Sequence, residues 1–112
     1  NMSVHSKVNL SNGDKFERVK LDERGFNDMK VELVEGKRLV IENIGGRDRI
    51  LVIKGVEFHD EQLNLIQKFN LNRWEILPSK KIMKIKMERP GDFIIKTMNR
   101  PNQDIKVDVN MK

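Results

Sequence analysis

Apolar residues recur along this chain in short runs separated by turn residues, a pattern typical of β-strands joined by tight turns. In the first run, Val31 and Leu33 alternate with polar neighbours, whereas the next two runs are almost continuously apolar. Gly36 and the pair Gly45-Gly46 lie between the runs and indicate turns. The pattern therefore predicts three consecutive strands at 29–34, 38–44 and 49–54.

The second half of the chain shows the same alternation of apolar runs and turn residues. Pro78-Ser79 and Pro90-Gly91 punctuate three further runs, and Arg100-Pro101-Asn102 breaks the chain again. An alternating segment with Ile105, Val107 and Val109 follows. We therefore predict a final strand there, after strands at 73–77, 81–87 and 93–98.

The two sets of three strands match when the sequence is shifted by 43 positions. Residues 26–54 then align with 69–97 without a gap. Four of the aligned residue pairs are identical, and eleven more are chemically similar. We interpret the match as pseudo-twofold symmetry within one domain spanning 1–112. The identical pairs are Phe26/Phe69, Asn27/Asn70, Glu32/Glu75 and Lys37/Lys80.

Each set of three strands is preceded by a segment that favours a helix. Leu63, Ile66 and Phe69 recur at helical spacing after Asp60, which is a good N-cap, so a helix is predicted from Asp60 to about Asn70.

The segment before the first set has two interpretations. After a loosely alternating strand at 2–10, Asn12-Gly13 is a hairpin signal. A helix over 14–24 that ends at Gly25 is the alternative, and we prefer it. The resulting fold class is α+β, an antiparallel sheet built from two pseudo-symmetric three-strand units with one or two helices.

Composition excludes several classes of function. The chain has 112 residues, 35% of them charged, and it contains no cysteine. Disulfides, thiol nucleophiles and thiolate metal sites are therefore absent, which suits a reducing cytoplasm. No apolar run approaches the roughly 20 residues that cross a bilayer.

Residues for catalysis are equally scarce. The two histidines, His5 and His59, lie far apart in the sequence, and the carboxylates show no metal-ligand spacing. We therefore expect no enzyme activity, no cofactor, no metal site and no small-molecule substrate. Trp74, the one tryptophan, is expected to fill the core, because stacking on single-stranded nucleic acid needs several exposed aromatic residues.

The net charge of +5 lies entirely in the second part of the chain. Residues 1–72 carry 12 basic and 12 acidic side chains, whereas residues 73–112 carry 10 and 5. Such asymmetry indicates a polyanionic partner, although a lysine-rich solvated face has the same composition.

The basic residues concentrate at the predicted turns and on one strand face. In strand 81–87, Lys84 and Lys86 project from the face opposite Met83 and Ile85. The other basic residues lie at turns. Paired basic hairpins could contact duplex phosphates and base edges. The candidate nucleic-acid-binding residues are Lys37, Arg38, Arg47, Arg49, Lys80, Lys81, Lys84, Lys86 and Arg89.

Several short stretches resemble the C-terminal DNA-binding domains of tailed-phage middle-promoter activators of the MotA type. They are residues 21–26, 30–32, 66–69 and 82–89, within a similarity that covers about 20–97. The resemblance implies a saddle-shaped "double wing" fold that binds promoter DNA through strand hairpins. The N-terminal domain of that family, which engages the host sigma factor, has no counterpart in this chain.

Two hypotheses follow from the sequence. The first is a non-enzymatic phage-type transcription regulator that binds duplex DNA, in preference to RNA, in the host cytoplasm. The alternative is a small protein-interaction module from a phage or mobile element that docks on host machinery, for which the six methionines could provide an adaptable surface.

Overall fold

The computed structural model describes residues 16–60 and 66–111, and within these ranges every regular element is a β-strand. The strands form two mixed sheets. One has four strands in the order β2-β1-β4-β7, and the other has five in the order β3-β9-β8-β5-β6. The strands are β1 Phe16–Asp22, β2 Gly25–Phe26, β3 Lys30–Val34, β4 Arg38–Asn43, β5 Arg49–Asp60, β6 Ile66–Leu77, β7 Ile82–Lys86, β8 Gly91–Thr97 and β9 Arg100–Asn110.

The predicted α+β fold class is wrong, because the first helix segment forms a strand. Within the segment predicted as helix, 14–24, Phe16–Asp22 form β1, in which Val19 and Leu21 are buried and their neighbours are more exposed. This period of two fits a strand and not a helix. In addition, β1 pairs in parallel with β4, which places Val19 opposite Ile41.

Part of the second predicted helix also forms a strand: residues 66–70 lie in β6, whereas residues 61–65 lie outside the described residues. Residues 66–77 form β6, which pairs residue by residue with β5 from Asp60↔Ile66 to Arg49↔Leu77. Backbone pairing along this long hairpin overrides the helical spacing that the sequence shows. The strand predicted for residues 2–10 lies outside the described residues.

Tight turns in this chain mostly carry the backbone from one sheet to the other. Gly36, with φ of 86°, lies in the turn between β3 in the five-stranded sheet and β4 in the four-stranded sheet. Most consecutive strands therefore do not pair with each other, and the prediction of an all-antiparallel sheet is also wrong. Two strand pairs, β1 with β4 and β3 with β9, are parallel.

The core lies between the two sheets. Leu39 and Ile41 of the four-stranded sheet are fully buried, as are Leu51, Ile53 and Ile95 of the five-stranded sheet. All five belong to one contiguous apolar cluster. Burial of such side chains contributes about 1.5–3 kcal/mol each, so this cluster is the main source of stability.

The 43-residue shift aligns strands with strands but does not align their buried faces. Val31 and Leu33 are buried in β3, whereas the residues that match them in β6, Trp74 and Ile76, are 58% and 66% exposed. Because a strand changes face with every residue, a shift that matches residue types can still exchange the two faces. The two halves therefore differ in which residues they bury.

Candidate functional site

The basic residues at the two predicted equivalent turns lie at opposite ends of the four-stranded sheet. Strands β4 and β7 are antiparallel, so Arg38 lies opposite Lys86. At the other end of β4, the Asn43 amide donates to the carbonyl oxygen of Lys81 at 3.0 Å. Lys37 and Arg38 therefore do not form one cluster with Lys80 and Lys81.

Three of the nine candidate residues do lie together, on the outer face of the four-stranded sheet. Arg38 of β4 lies opposite Lys86 of β7. Val40 of β4 lies between Lys84 of β7 and Arg18 of β1. Arg18 was not among the predicted residues, because the segment that holds it was interpreted as a helix. Arg18 forms an ion pair with Glu42 at 3.2 Å, so part of this face is already neutralised.

The three arginines expected at turn tips are not together. Arg47 is exposed in the turn between β4 and β5. Arg89 lies in the turn between β7 and β8, at the opposite end of the sandwich. Arg49 is buried, with only 8% of its surface exposed, and so it is not at a tip.

Arg49 instead joins three turns at one end of the sandwich. Its Nη1 donates to the carbonyl oxygen of Asp22 at 2.8 Å, and its Nη2 donates to Oε1 of Gln103. Gln103 in turn donates from Nε2 to the carbonyl oxygen of Glu23 at 2.8 Å. Burial lowers the pKa of the Arg49 guanidinium, as does nearby Arg100, and the Glu23 carboxylate partly opposes both effects.

Asn43 uses its whole side-chain amide at the same end. Its Nδ2 donates to the carbonyl oxygens of Arg47 at 2.8 Å and Leu77 at 3.0 Å, and its Oδ1 accepts from the Gly45 amide at 3.0 Å. The residue is fully buried. It therefore ties the loop after β4 to the end of β6.

Thr97 completes this group. Its Oγ1 can donate a hydrogen bond to the carbonyl oxygen of Gln103 at 3.0 Å or to that of Arg100 at 3.4 Å. Asn43, Arg49 and Thr97 are the buried polar residues of the described part of the chain. We call these three with Glu23 and Gln103 the polar lock. Because its buried groups already have partners, it stabilises four turns and leaves none of those groups to bind a ligand.

An exposed apolar surface lies on the outer face of the five-stranded sheet. Ile50 lies opposite Ile76, and Val52 lies opposite Trp74. Ile50, Trp74 and Ile76 are 38%, 58% and 66% exposed. We call these four residues the Trp74 face. The expectation that Trp74 fills the core is wrong, because Leu77 fixes the opposite face of β6 as the buried one.

The Trp74 face borders an open sheet edge, since β6 is the last strand of its sheet in the described residues. The direction of its backbone groups follows from the neighbouring ladder. The Ile50 carbonyl accepts from Met98 on the β8 side at 2.9 Å. Backbone N–H and C=O groups alternate sides along an antiparallel strand, so those of Leu51 and Ile53 point toward β6. There Leu51 forms backbone hydrogen bonds with Glu75, and Ile53 forms them with Arg73. The backbone groups of Trp74 and Ile76 therefore point away from β5, toward the open edge.

The chain shows no sequence similarity that identifies a family. No protein-family model and no curated protein matches it. Solved structures do match in fold. The copper(I) form of an amicyanin variant has a TM-score of 0.64 at 10% identity, over 98% of this chain and 97% of that chain. The amicyanin of Paracoccus versutus gives 0.61 at 13% identity, over 90% and 85%. A purple cupredoxin from Nitrosopumilus maritimus gives 0.54 at 14% identity, over 83% and 98%.

These comparisons overturn the nucleic-acid hypothesis. A β-sandwich similar to cupredoxins is not a saddle-shaped double wing, so the resemblance to the phage activators is wrong. DNA binding, transcription regulation and a nucleic-acid partner depended on that fold and on basic hairpins placed side by side, and the structure has neither. The alternative of docking on host machinery gains no specific support from the same comparisons.

The residues of this chain do not fit a blue-copper centre. Such a centre binds copper through one cysteine thiolate and two histidines, with a weak axial ligand. This sequence has no cysteine. In residues 16–60 and 66–111, no group of three His, Cys, Asp or Glu side chains is placed to hold a metal ion. The buried polar residues of these ranges, Asn43, Arg49 and Thr97, belong to the polar lock and are already hydrogen-bonded. The structural similarity therefore shows the fold alone.

Proposed function

We propose that this protein is a copper-free, non-catalytic β-sandwich that binds a polypeptide strand along the open edge of β6. The observation that carries the proposal is the exposure of Trp74 and Ile76 beside outward-facing backbone groups. Exposed apolar patches mark interaction sites, and tryptophan is enriched among the residues that dominate binding energy. An added strand satisfies the open backbone groups, while its alternate side chains cover the apolar face.

The rest of the molecule supports this role as a rigid platform. The polar lock ties together four turns, and Gly55 lets β8 pack closely against β5, which also carries half of the Trp74 face. Preorganised surfaces lose less conformational entropy on binding. The structure describes no helix long and apolar enough to span a bilayer.

Selection of peptides from a random library tests the binding surface directly. Peptides that bind the wild-type protein should lose about tenfold or more in affinity for the Trp74→Ser variant, since truncating such an anchor typically costs about 2 kcal/mol or more. Met29→Ser is the matched control, because Met29 is an exposed apolar residue away from β6. Peptides that bind both variants equally would contradict the proposal.

Hydrogen exchange provides a second measurement on the same complexes. The amides of Trp74 and Ile76 face the open edge, so an added strand should slow their exchange. The Glu75 amide faces β5, and its exchange should change less. Equal protection of all three amides would indicate that binding does not occur by strand addition.

Equilibrium dialysis tests the absence of a copper centre. We expect the purified protein to retain clearly less than one copper ion per chain after dialysis against Cu(I) or Cu(II). Tight binding of one ion per chain would overturn this half of the proposal. The absence of catalysis is likewise part of the proposal, and the cytoplasmic location inferred from the sequence stays a prediction.

A further inference from the structure

We infer that the strand added to β6 is β6 of a second copy of this chain, paired antiparallel about a twofold axis through Trp74. This inference rests on the proposed function and specifies its partner. An edge strand presents unpaired backbone groups that template such pairing. Here β6 pairs with β5 over Ile66–Leu77, and an axis through Trp74 brings residues 71–77 of the two copies opposite each other.

The charges on β6 select the register. Arg73 and Glu75 flank Trp74 and point to the face opposite Trp74, where they form an ion pair along the strand at 3.0 Å. With the twofold axis at Trp74, Arg73 of each copy lies opposite Glu75 of the other. Opposite charges in facing positions stabilise a strand pair, and like charges destabilise it.

Neighbouring registers are disfavoured by the same residues. An axis at Glu75 would place the two Glu75 carboxylates opposite each other, and an axis at Arg73 would place the two guanidinium groups opposite each other. Inward-pointing charges on an edge strand normally block pairing with other strands. In this chain they disfavour the two neighbouring registers, but they favour a second copy centred on Trp74.

The backbone and the apolar face agree with this register. The outward-facing groups of Trp74 meet those of Trp74 in the second copy, and Asn72 meets Ile76, so each pair can exchange two hydrogen bonds. The two Trp74 faces then join across the axis, and the two five-stranded sheets become one continuous sheet. A single strand pair with one apolar strip is a small interface, so we expect weak association, with a dissociation constant on the order of 0.1 mM.

Charge exchange tests the inference on the full chain. By sedimentation analysis over a concentration series, the wild type should dimerise. Glu75→Arg alone and Arg73→Glu alone should each weaken dimerisation about tenfold or more, because each brings like charges together. A mixture of these two variants should form a heterodimer, since every facing pair is then opposite in charge. Circular dichroism of each variant checks that the fold is retained.

Several results would overturn the inference. A dimer that persists in the single variants, or a mixture that gains no heterodimer, would exclude this register. Arg47→Glu, in an exposed turn, is the control for a general charge effect and should leave dimerisation unchanged. A wild type that stays monomeric at about 1 mM, ten times the expected dissociation constant, would exclude the second copy as partner. If selected peptides still bind β6 in that case, the proposed function stands, and if they do not, both proposals fail.

Discussion

Arg49 donates from Nη1 to the carbonyl oxygen of Asp22 at 2.8 Å and so joins the start of β5 to the end of β1. The contact links the two sheets, because β5 belongs to the five-stranded sheet and β1 to the four-stranded sheet. The same guanidinium also binds the Gln103 side chain in the turn that begins β9. One buried side chain thus connects three segments that are distant in sequence.

Arg49→Lys should lower the free energy of unfolding by about 1–3 kcal/mol, the typical worth of hydrogen bonds to charged groups. A lysine keeps the charge but lacks the planar fork that reaches both Asp22 and Gln103. Urea denaturation provides the measurement. Arg47→Lys, in an exposed position of the adjacent turn, should change stability by less than about 0.5 kcal/mol. Equal effects of the two substitutions would show that the Arg49 contacts do not stabilise the fold.

Asn43→Asp should destabilise the protein by roughly 3 kcal/mol at neutral pH, because a carboxylate would face the carbonyl oxygens of Arg47 and Leu77. That environment raises the folded-state pKa of the introduced carboxyl above its unfolded value of about 3.9. The folded state then binds more protons than the unfolded state, so the penalty grows as pH rises above about 4.

Denaturation of the Asn43→Asp variant between pH 4 and neutral pH measures this dependence. Asn99→Asp is the matched control, since Asn99 is exposed and adds the same charge in a left-handed turn position that Asp tolerates. A penalty at Asn43 that does not vary with pH would mean that the lost Nδ2 hydrogen bonds, and not charge burial, are the cause.

Gly55→Ala should destabilise the five-stranded sheet by about 1–3 kcal/mol, as expected for overpacking. A Cβ at Gly55 would lie 2.3 Å from the carbonyl oxygen of Asp92 and 2.7 Å from Cα of Phe93, and neither backbone atom can move without shifting β8. At Gly46 the nearest atom, an oxygen of Glu23, is 4.0 Å away, so Gly46→Ala should be nearly neutral. Thermal unfolding compares the two variants, and similar midpoints would contradict the argument.

Lys30 should contribute a pH-dependent stabilisation of the β3–β9 pair. Its ammonium lies 3.2 Å from Asp108 and 3.4 Å from Glu32, and these partners, Asp108 first, raise the pKa of Lys30 above its ordinary value. Because the folded-state pKa is the higher one, the contribution is complete below about pH 10.4 and is lost as pH rises through the folded-state pKa.

Comparison of the wild type with Lys30→Gln measures this effect. Their difference in unfolding free energy should be constant up to about pH 10 and should then decrease. Lys106→Gln, on the neighbouring position of β9, is the control for a general charge effect. A difference that stays constant through the alkaline range would contradict the assignment of the raised pKa to Lys30.

Much of the strand content could be predicted from local pattern. In β7, Met83 and Ile85 are buried while Lys86 is exposed, which is the alternation expected from the sequence. The segments 29–34, 38–44 and 49–54 were likewise interpreted as strands, and they correspond to β3, β4 and the start of β5. Period-two alternation and Gly- or Pro-containing turns are local signals, so they can be interpreted without tertiary structure.

The candidate site could not be predicted in the same way. Trp74 was assigned to the core because stacking on single-stranded nucleic acid needs several exposed aromatic residues, but the face of β6 that is buried depends on its register with β5. Arg49 was assigned to the surface because it follows a glycine turn, but the turn folds back over the end of β1. In both cases the outcome depends on which strands become neighbours, and that information is not local.

Most of the strand segments, the turns between them and the absence of any thiolate chemistry could be predicted from the sequence alone. These follow from side-chain period, backbone preferences and composition, each of which acts over a few residues or over the chain as a whole. The folded structure was needed to show that most connections cross from one sheet to the other, that Arg49 is buried and that Trp74 is exposed. Side-chain burial is set by long-range pairing, because a shift of one residue in register exchanges the two faces of a strand.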